Sequence, residues 1–68
     1  MQSKVIYIAG LNNEIQKSQI EQKLLQLHGV HKVLIEKDEG EIFVDFETPA
    51  SLNNLEKEVY DLGYQILY

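Results

Sequence analysis

Side chains that could hold a metal or move a proton fall in three places along this 68-residue chain. His28 and His31 form an H-x-x-H pair, the spacing of a weak two-imidazole site for a borderline metal. Glu14, Asp38 and Glu39 are carboxylates that could hold a hard cation if the fold brought them to one end. Asn13 and Gln16 follow Gly10-Leu11 in what reads as a loop between a strand and a helix. Their neutral amides are poor ligands for a soft monovalent ion, whereas Asn13 is well suited to cap a helix N-terminus. With no cysteine in the sequence, disulfides, thiolate metal sites and cysteine nucleophiles are excluded together. Neither histidine has a nucleophile obviously paired with it, and the carboxylates fall in an exposed hairpin rather than a cleft. The expectation is a protein that is not an enzyme and carries no cofactor.

The elements that must position these residues are constrained first by size. Sixty-eight residues make a single domain, residues 1–68, near the lower limit for folding without staples. No window is long and apolar enough for a transmembrane helix, and the N-terminus lacks an apolar secretion signal, so a cytoplasmic address is expected. Eleven acidic residues against six lysines, with no arginine, give a net charge of −5. That charge disfavours nucleic acid and anionic membrane as partners, and the missing arginines remove bidentate anion clamps.

Residues 4–9 read as a strand that Gly10 ends. Residues 14–28 read as a helix, because Ile20, Leu24 and Leu27 recur at i, i+4 and i+7, with Gly29 placed as its C-terminal cap. Residues 30–36 and 41–46 are strands joined by a hairpin at 37–40. Pro49 and Ser51 announce a second helix carrying Leu52, Leu55, Val59 and Leu62, which Gly63 stops. A last strand covers 64–68. The order βαββαβ is that of a ferredoxin-like α/β (α+β) sandwich, a four-stranded antiparallel sheet with two helices on one face.

Alternation then divides the strand residues between two faces. Ile6, Ile8, Val33, Ile35, Ile42, Val44, Phe46 and Ile66 should meet the helices. Val5, Tyr7, Leu34, Phe43 and Leu67 should lie on the open face, forming one stripe in the strand order 4-1-3-2 with Tyr7 and Phe43 adjacent at its centre. A contiguous apolar patch with two aromatics marks an interface, so a protein partner or a homodimer is expected there. The same topology puts His28 and His31 at the end of the sheet opposite the first loop, roughly 20 Å away.

Across residues 4–66 the pattern Gly10-Leu11-Asn12-Asn13-Glu14-Ile15-Gln16, Ile20-Glu21, Leu24, Leu27, Gly29-Val30, Val33 and Asp61-Leu62-Gly63-Tyr64 resembles the heavy-metal-associated domain of copper chaperones and metal-pumping ATPases. In that family the first loop reads Gly-Met-x-Cys-x-x-Cys and binds Cu(I). The resemblance aligns Asn13 and Gln16 with the two cysteines, Leu11 with the buried methionine, and Tyr64 with an aromatic near the metal. It implies a degenerate member without tight Cu(I) binding, a small protein-interaction or regulatory module in metal homeostasis. A metallochaperone-like binder using non-cysteine ligands is the alternative within the family. A second, shorter resemblance covers Ile6-Tyr7-Ile8-Ala9-Gly10-Leu11 and Gly40-Glu41-Ile42-Phe43-Val44-Asp45-Phe46, which are similar to the two motifs of RNA-recognition domains. It implies single-stranded nucleic-acid binding through Tyr7 and Phe43, against which Glu39, Glu41, Asp45 and the missing arginines argue.

Overall fold

The computed structural model describes residues 1–67, and Tyr68, expected in the last strand, lies outside the described residues. The elements follow in the order β1 (Gln2–Ala9), α1 (Glu14–Leu25), β2 (Val30–Glu36), β3 (Glu41–Phe46), α2 (Leu52–Asp61) and β4 (Gln65–Leu67). Every strand pairing is antiparallel and the sheet order is β2-β3-β1-β4, the expected 4-1-3-2 order read from its other edge. The ferredoxin-like sandwich is therefore observed as read.

Period-2 alternation meets helical periodicity in one apolar layer. Ile6, Ile8, Ile35, Ile42, Val44 and Phe46 on the sheet are buried with Ile20 and Leu24 from α1 and Leu55 and Val59 from α2. Val33 and Ile66 are half-buried at the margins, as are Leu11, Leu27 and Leu52. No charged or polar residue is buried among the described residues. Both helices are capped by the side chain before them: Asn13 caps α1 and Ser51 caps α2, each accepting from the backbone N–H three residues on.

Several boundaries depart from the expected ones, among them that of β4, which begins at Gln65 rather than at Tyr64. The strand β1 begins two residues early because its register with β3 runs on, Ser3 opposite Asp45 and Gln2 opposite Phe46. The helix α1 stops at Leu25 rather than at 28. Its end tightens so that Leu27 donates to the Leu24 carbonyl at 3.1 Å and reaches the core from beyond the helix. Gly29 is consequently no helix cap. It packs against the β3–α2 connection, where its carbonyl accepts from Glu47 N–H at 2.8 Å. A Cβ built there would lie 2.2 Å from the Glu47 carbonyl oxygen, at a φ of +100°. Gly63 fills the cap role expected of it, with φ +105° and its N–H bonded to the Tyr60 carbonyl at 2.9 Å.

The two glycines should respond differently to a methyl group. Gly29→Ala combines backbone strain with a main-chain clash, and urea denaturation should register a loss of roughly 2 to 4 kcal/mol. Gly63→Ala meets nothing within 4 Å, so only the backbone term of about 1 to 2 kcal/mol should appear. Equal losses at both sites would refute the close-approach role of Gly29.

Candidate functional site

Loop one, residues 10–13, connects β1 to α1 and sits beside the loop that leads into β4. Gly10 and Tyr64 hold the two loops together: the Tyr64 ring lies 3.7 Å from where a Gly10 Cβ would stand. Tyr64 is buried at 8% exposure and belongs to the core cluster. Burial pushes its phenol above the ordinary tyrosine range, so at neutral pH it brings no anionic oxygen to the loop. Leu11 is half-buried against the same cluster.

Asn13 and Gln16 form a closed pair of backbone hydrogen bonds. Asn13 Oδ1 accepts the Gln16 N–H at 2.8 Å, and Gln16 Oε1 reaches back to accept the Asn12 N–H at 2.7 Å. This resembles a capping box shifted by one residue at its return bond: Asn13 satisfies a donor that the helix start leaves unpaired, and Gln16 satisfies the N–H of the residue before the cap. Both amide oxygens are thereby engaged. Sequence reasoning found the cap at Asn13 and missed the return bond, although Asn-x-x-Gln is the spacing that announces one.

The other expected ligands do not converge. Glu14 lies 3.9 Å from Lys37 of the β2–β3 hairpin and 3.8 Å from Lys17 of its own helix, so two ammonium groups stand beside the carboxylate that was to join Asp38 and Glu39. His31 pairs with Glu47 across the far turn, while His28 is exposed beside Leu27, Pro49, Ala50 and Asn54. Among the described residues no group of three His, Asp or Glu has a geometry that could hold a metal.

On the open face of the sheet, Leu34, Phe43 and Val5 stand on one rung across β2, β3 and β1, with Tyr7 and Leu67 on another across β1 and β4. The patch is thus a diagonal band rather than a straight stripe. Tyr7 lies opposite Glu41, not Phe43, because the β1–β3 register sets Phe43 against Val5. The two aromatics are diagonal neighbours, still within reach of long side chains. Phe43, Leu67, Tyr7 and Leu34 remain 37 to 51% exposed, so the neighbouring Lys32, Glu41 and Asp45 do not cover them. Glu36 and Glu41 face each other on the rung beside Tyr7, and Ser3 donates to Asp45 Oδ1 at 2.6 Å on the rung beyond Phe43. The band therefore has an acidic margin on one side.

No family model and no curated protein matches this sequence. Solved structures do. The CsoZ metallochaperone is 43% identical, with 98% of this chain and 97% of that one covered at a TM-score of 0.96. The CopZ metallochaperone is 18% identical over 97% of this chain and 100% of that one, with a TM-score of 0.93. A copper-binding domain from HMA7, a P-type ATPase, is 20% identical over 100% of this chain and 96% of that one, with a TM-score of 0.91. These last two likenesses concern the fold.

If the Asn13 and Gln16 bonds hold the helix start, Asn13→Ala should lower stability by about 1 kcal/mol. Gln16→Ala should cost less, about 0.5 kcal/mol, since Asn12 is exposed and water can replace the lost acceptor. Urea midpoints of both variants and the double variant check this; a double loss equal to the sum would mean that the two bonds act independently.

Proposed function

We propose, from the premise that this chain belongs to the heavy-metal-associated, copper-chaperone-like family, that it is a non-catalytic module of metal homeostasis which works by docking to a protein and not by carrying Cu(I). The observation that supports this reading is the closed bonding of Asn13 and Gln16. The two positions aligned with the family's cysteines offer neutral oxygens to a soft ion that prefers thiolate, and both oxygens already accept backbone hydrogens. Metal capture there would break two helix-start bonds and gain two poor ligands.

The docking surface in this reading is the diagonal band of Val5, Tyr7, Leu34, Phe43 and Leu67. Its central rung, Leu34-Phe43-Val5, is apolar across β2, β3 and β1, the kind of surface that supplies binding energy on desolvation. The acidic margin at Glu36 and Glu41 selects partners carrying lysine or arginine beside an apolar contact. It also opposes phosphate, so oligonucleotides at physiological salt should leave the Tyr7 and Phe43 resonances unmoved.

Two experiments test the reading. The purified chain should not compete with a mild chelator for Cu(I), whereas the double change Asn13→Cys and Gln16→Cys should create binding while leaving the fold intact. Sub-micromolar Cu(I) affinity in the unchanged chain would sink the proposal. Titration of the labelled chain with a copper-binding domain of the P-type ATPase kind should shift Leu34, Phe43 and Tyr7, and Phe43→Ser should abolish those shifts. Shifts confined to residues 12–16 would move docking to the first loop and overturn the open-face assignment.

A further inference from the structure

The sheet has two free edges, and they are not alike. The outer edge of β2 carries a bulge between Val30 and Lys32 and the charges of Lys32 and Glu36, both of which discourage pairing with another strand. The β4 edge, Gln65-Ile66-Leu67, carries no charge, bulge or proline. A groove of about 450 Å³ runs beside it, lined by Asn53, Glu56, Lys57, Tyr60, Gln65 and Ile66.

Register fixes what the β4 edge presents. Ile8 donates its N–H to the Gly40 carbonyl at 2.8 Å, on the β3 side of β1. The main-chain groups of one strand residue point to one side, and the side alternates along the strand. Tyr7 and Ala9 therefore turn theirs toward β4, where their partners are Leu67 and Gln65. Ile66, opposite Ile8, turns its N–H and C=O outward. One residue, with one donor and one acceptor, is what a twofold antiparallel pairing requires at its centre, where two equivalent residues exchange both bonds.

We propose that β4 is a self-association edge, at which a second copy of this chain pairs Ile66 with Ile66 and Gln65 with Leu67 to make one continuous eight-stranded sheet. The edge is partly apolar on both sides: Tyr60, 67% exposed, and Ile66 flank it on the helix side beside Asn53, Glu56 and Lys57, and Leu67 with Tyr7 flank it on the open side beside Gln65. Charge selects the second copy at this edge and not on the open face. The chain carries a net charge of −5, and Glu36, Asp38, Glu39 and Glu41 gather at the β2–β3 end, on the half of the sheet away from β4. Edge pairing keeps those carboxylates apart. Face-to-face packing would bring the Glu36, Glu41 and Asp45 carboxylates of two copies onto facing surfaces about 10 Å apart, close to the Debye length, where like-charge repulsion is reduced but still felt. The edge dimer also leaves the docking band exposed and extends its Tyr7-Leu67 rung into the second copy. This inference stands apart from the absence of Cu(I) binding and survives or fails without it.

The contact is small, so association should be weak and visible between about 10 μM and about 1 mM. Sedimentation equilibrium on the purified chain should follow a monomer–dimer equilibrium over that range. Resonances of Gln65, Ile66, Leu67 and Tyr60 should shift with concentration, and the Ile66 amide should exchange more slowly as concentration rises. Tyr60→Lys, a change at an exposed helix position that leaves the core untouched, should weaken dimerisation by about tenfold or more, while Phe43→Ser should leave it unaltered. A chain that stays monomeric to about 1 mM overturns the proposal. So does a dimer that Phe43→Ser dissolves and Tyr60→Lys does not.

Discussion

The rest of this structure depends on one apolar layer, in which six sheet residues of alternating position meet four helix residues of 3.6-residue spacing. A chain of this length has little surplus stability, and this one has no cysteine with which to staple itself or to recruit a structural metal through thiolates. Ile20, Leu24, Leu55 and Val59, each fully buried, hold both helices on the sheet. Because this layer fixes where α1 begins, the first loop is free to change its residues without changing the fold. The fold itself is shared at low identity, with a TM-score of 0.93 to a CopZ metallochaperone at 18% identity.

A helix start imposes its own physical requirement, whatever the loop before it binds. A helix N-terminus with several unpaired N–H groups still has to be satisfied. Asn13 and Gln16 meet part of that requirement through amide oxygens that accept backbone N–H groups, and Glu14 adds favourable charge in the first turn. Lys37 reaches Glu14 from the β2–β3 hairpin at 3.9 Å, so an exposed polar contact ties the start of α1 to that hairpin. Such contacts contribute little individually.

Most of the fold was legible because it rests on local patterns: the strand alternation, the stripe of Ile20 and Leu24, the caps at Asn13 and Ser51, and Gly63 after α2. What was not legible depends on contacts distant in sequence. Gly29 looks like a helix cap until the β3–α2 connection is packed against it, 18 residues further on at Glu47. The pairing of Glu14 with Lys37 replaces the carboxylate cluster that their order along the chain suggested. The diagonal offset of Tyr7 and Phe43 is a matter of register, which alternation alone leaves undetermined by steps of two residues. Face assignments survived that uncertainty, whereas the adjacency of particular side chains did not.

Register also sets apart the chemistry of the two apolar regions outside the core. Rungs alternate in chemistry across the open face: a polar rung at Lys32, Asp45 and Ser3, an apolar one at Leu34, Phe43 and Val5, then a rung that passes from Glu36 and Glu41 to Tyr7 and Leu67. Charge thus accumulates toward β2 and β3, and apolar character toward β4. A protein docking on this face meets its strongest field at one side and its least hindered apolar surface at the other, which fixes its orientation before any side chain is matched. The same gradient leaves β4 as the edge farthest from the carboxylates of the β2–β3 end, with Glu56 and Lys57 of α2 the charged groups beside it.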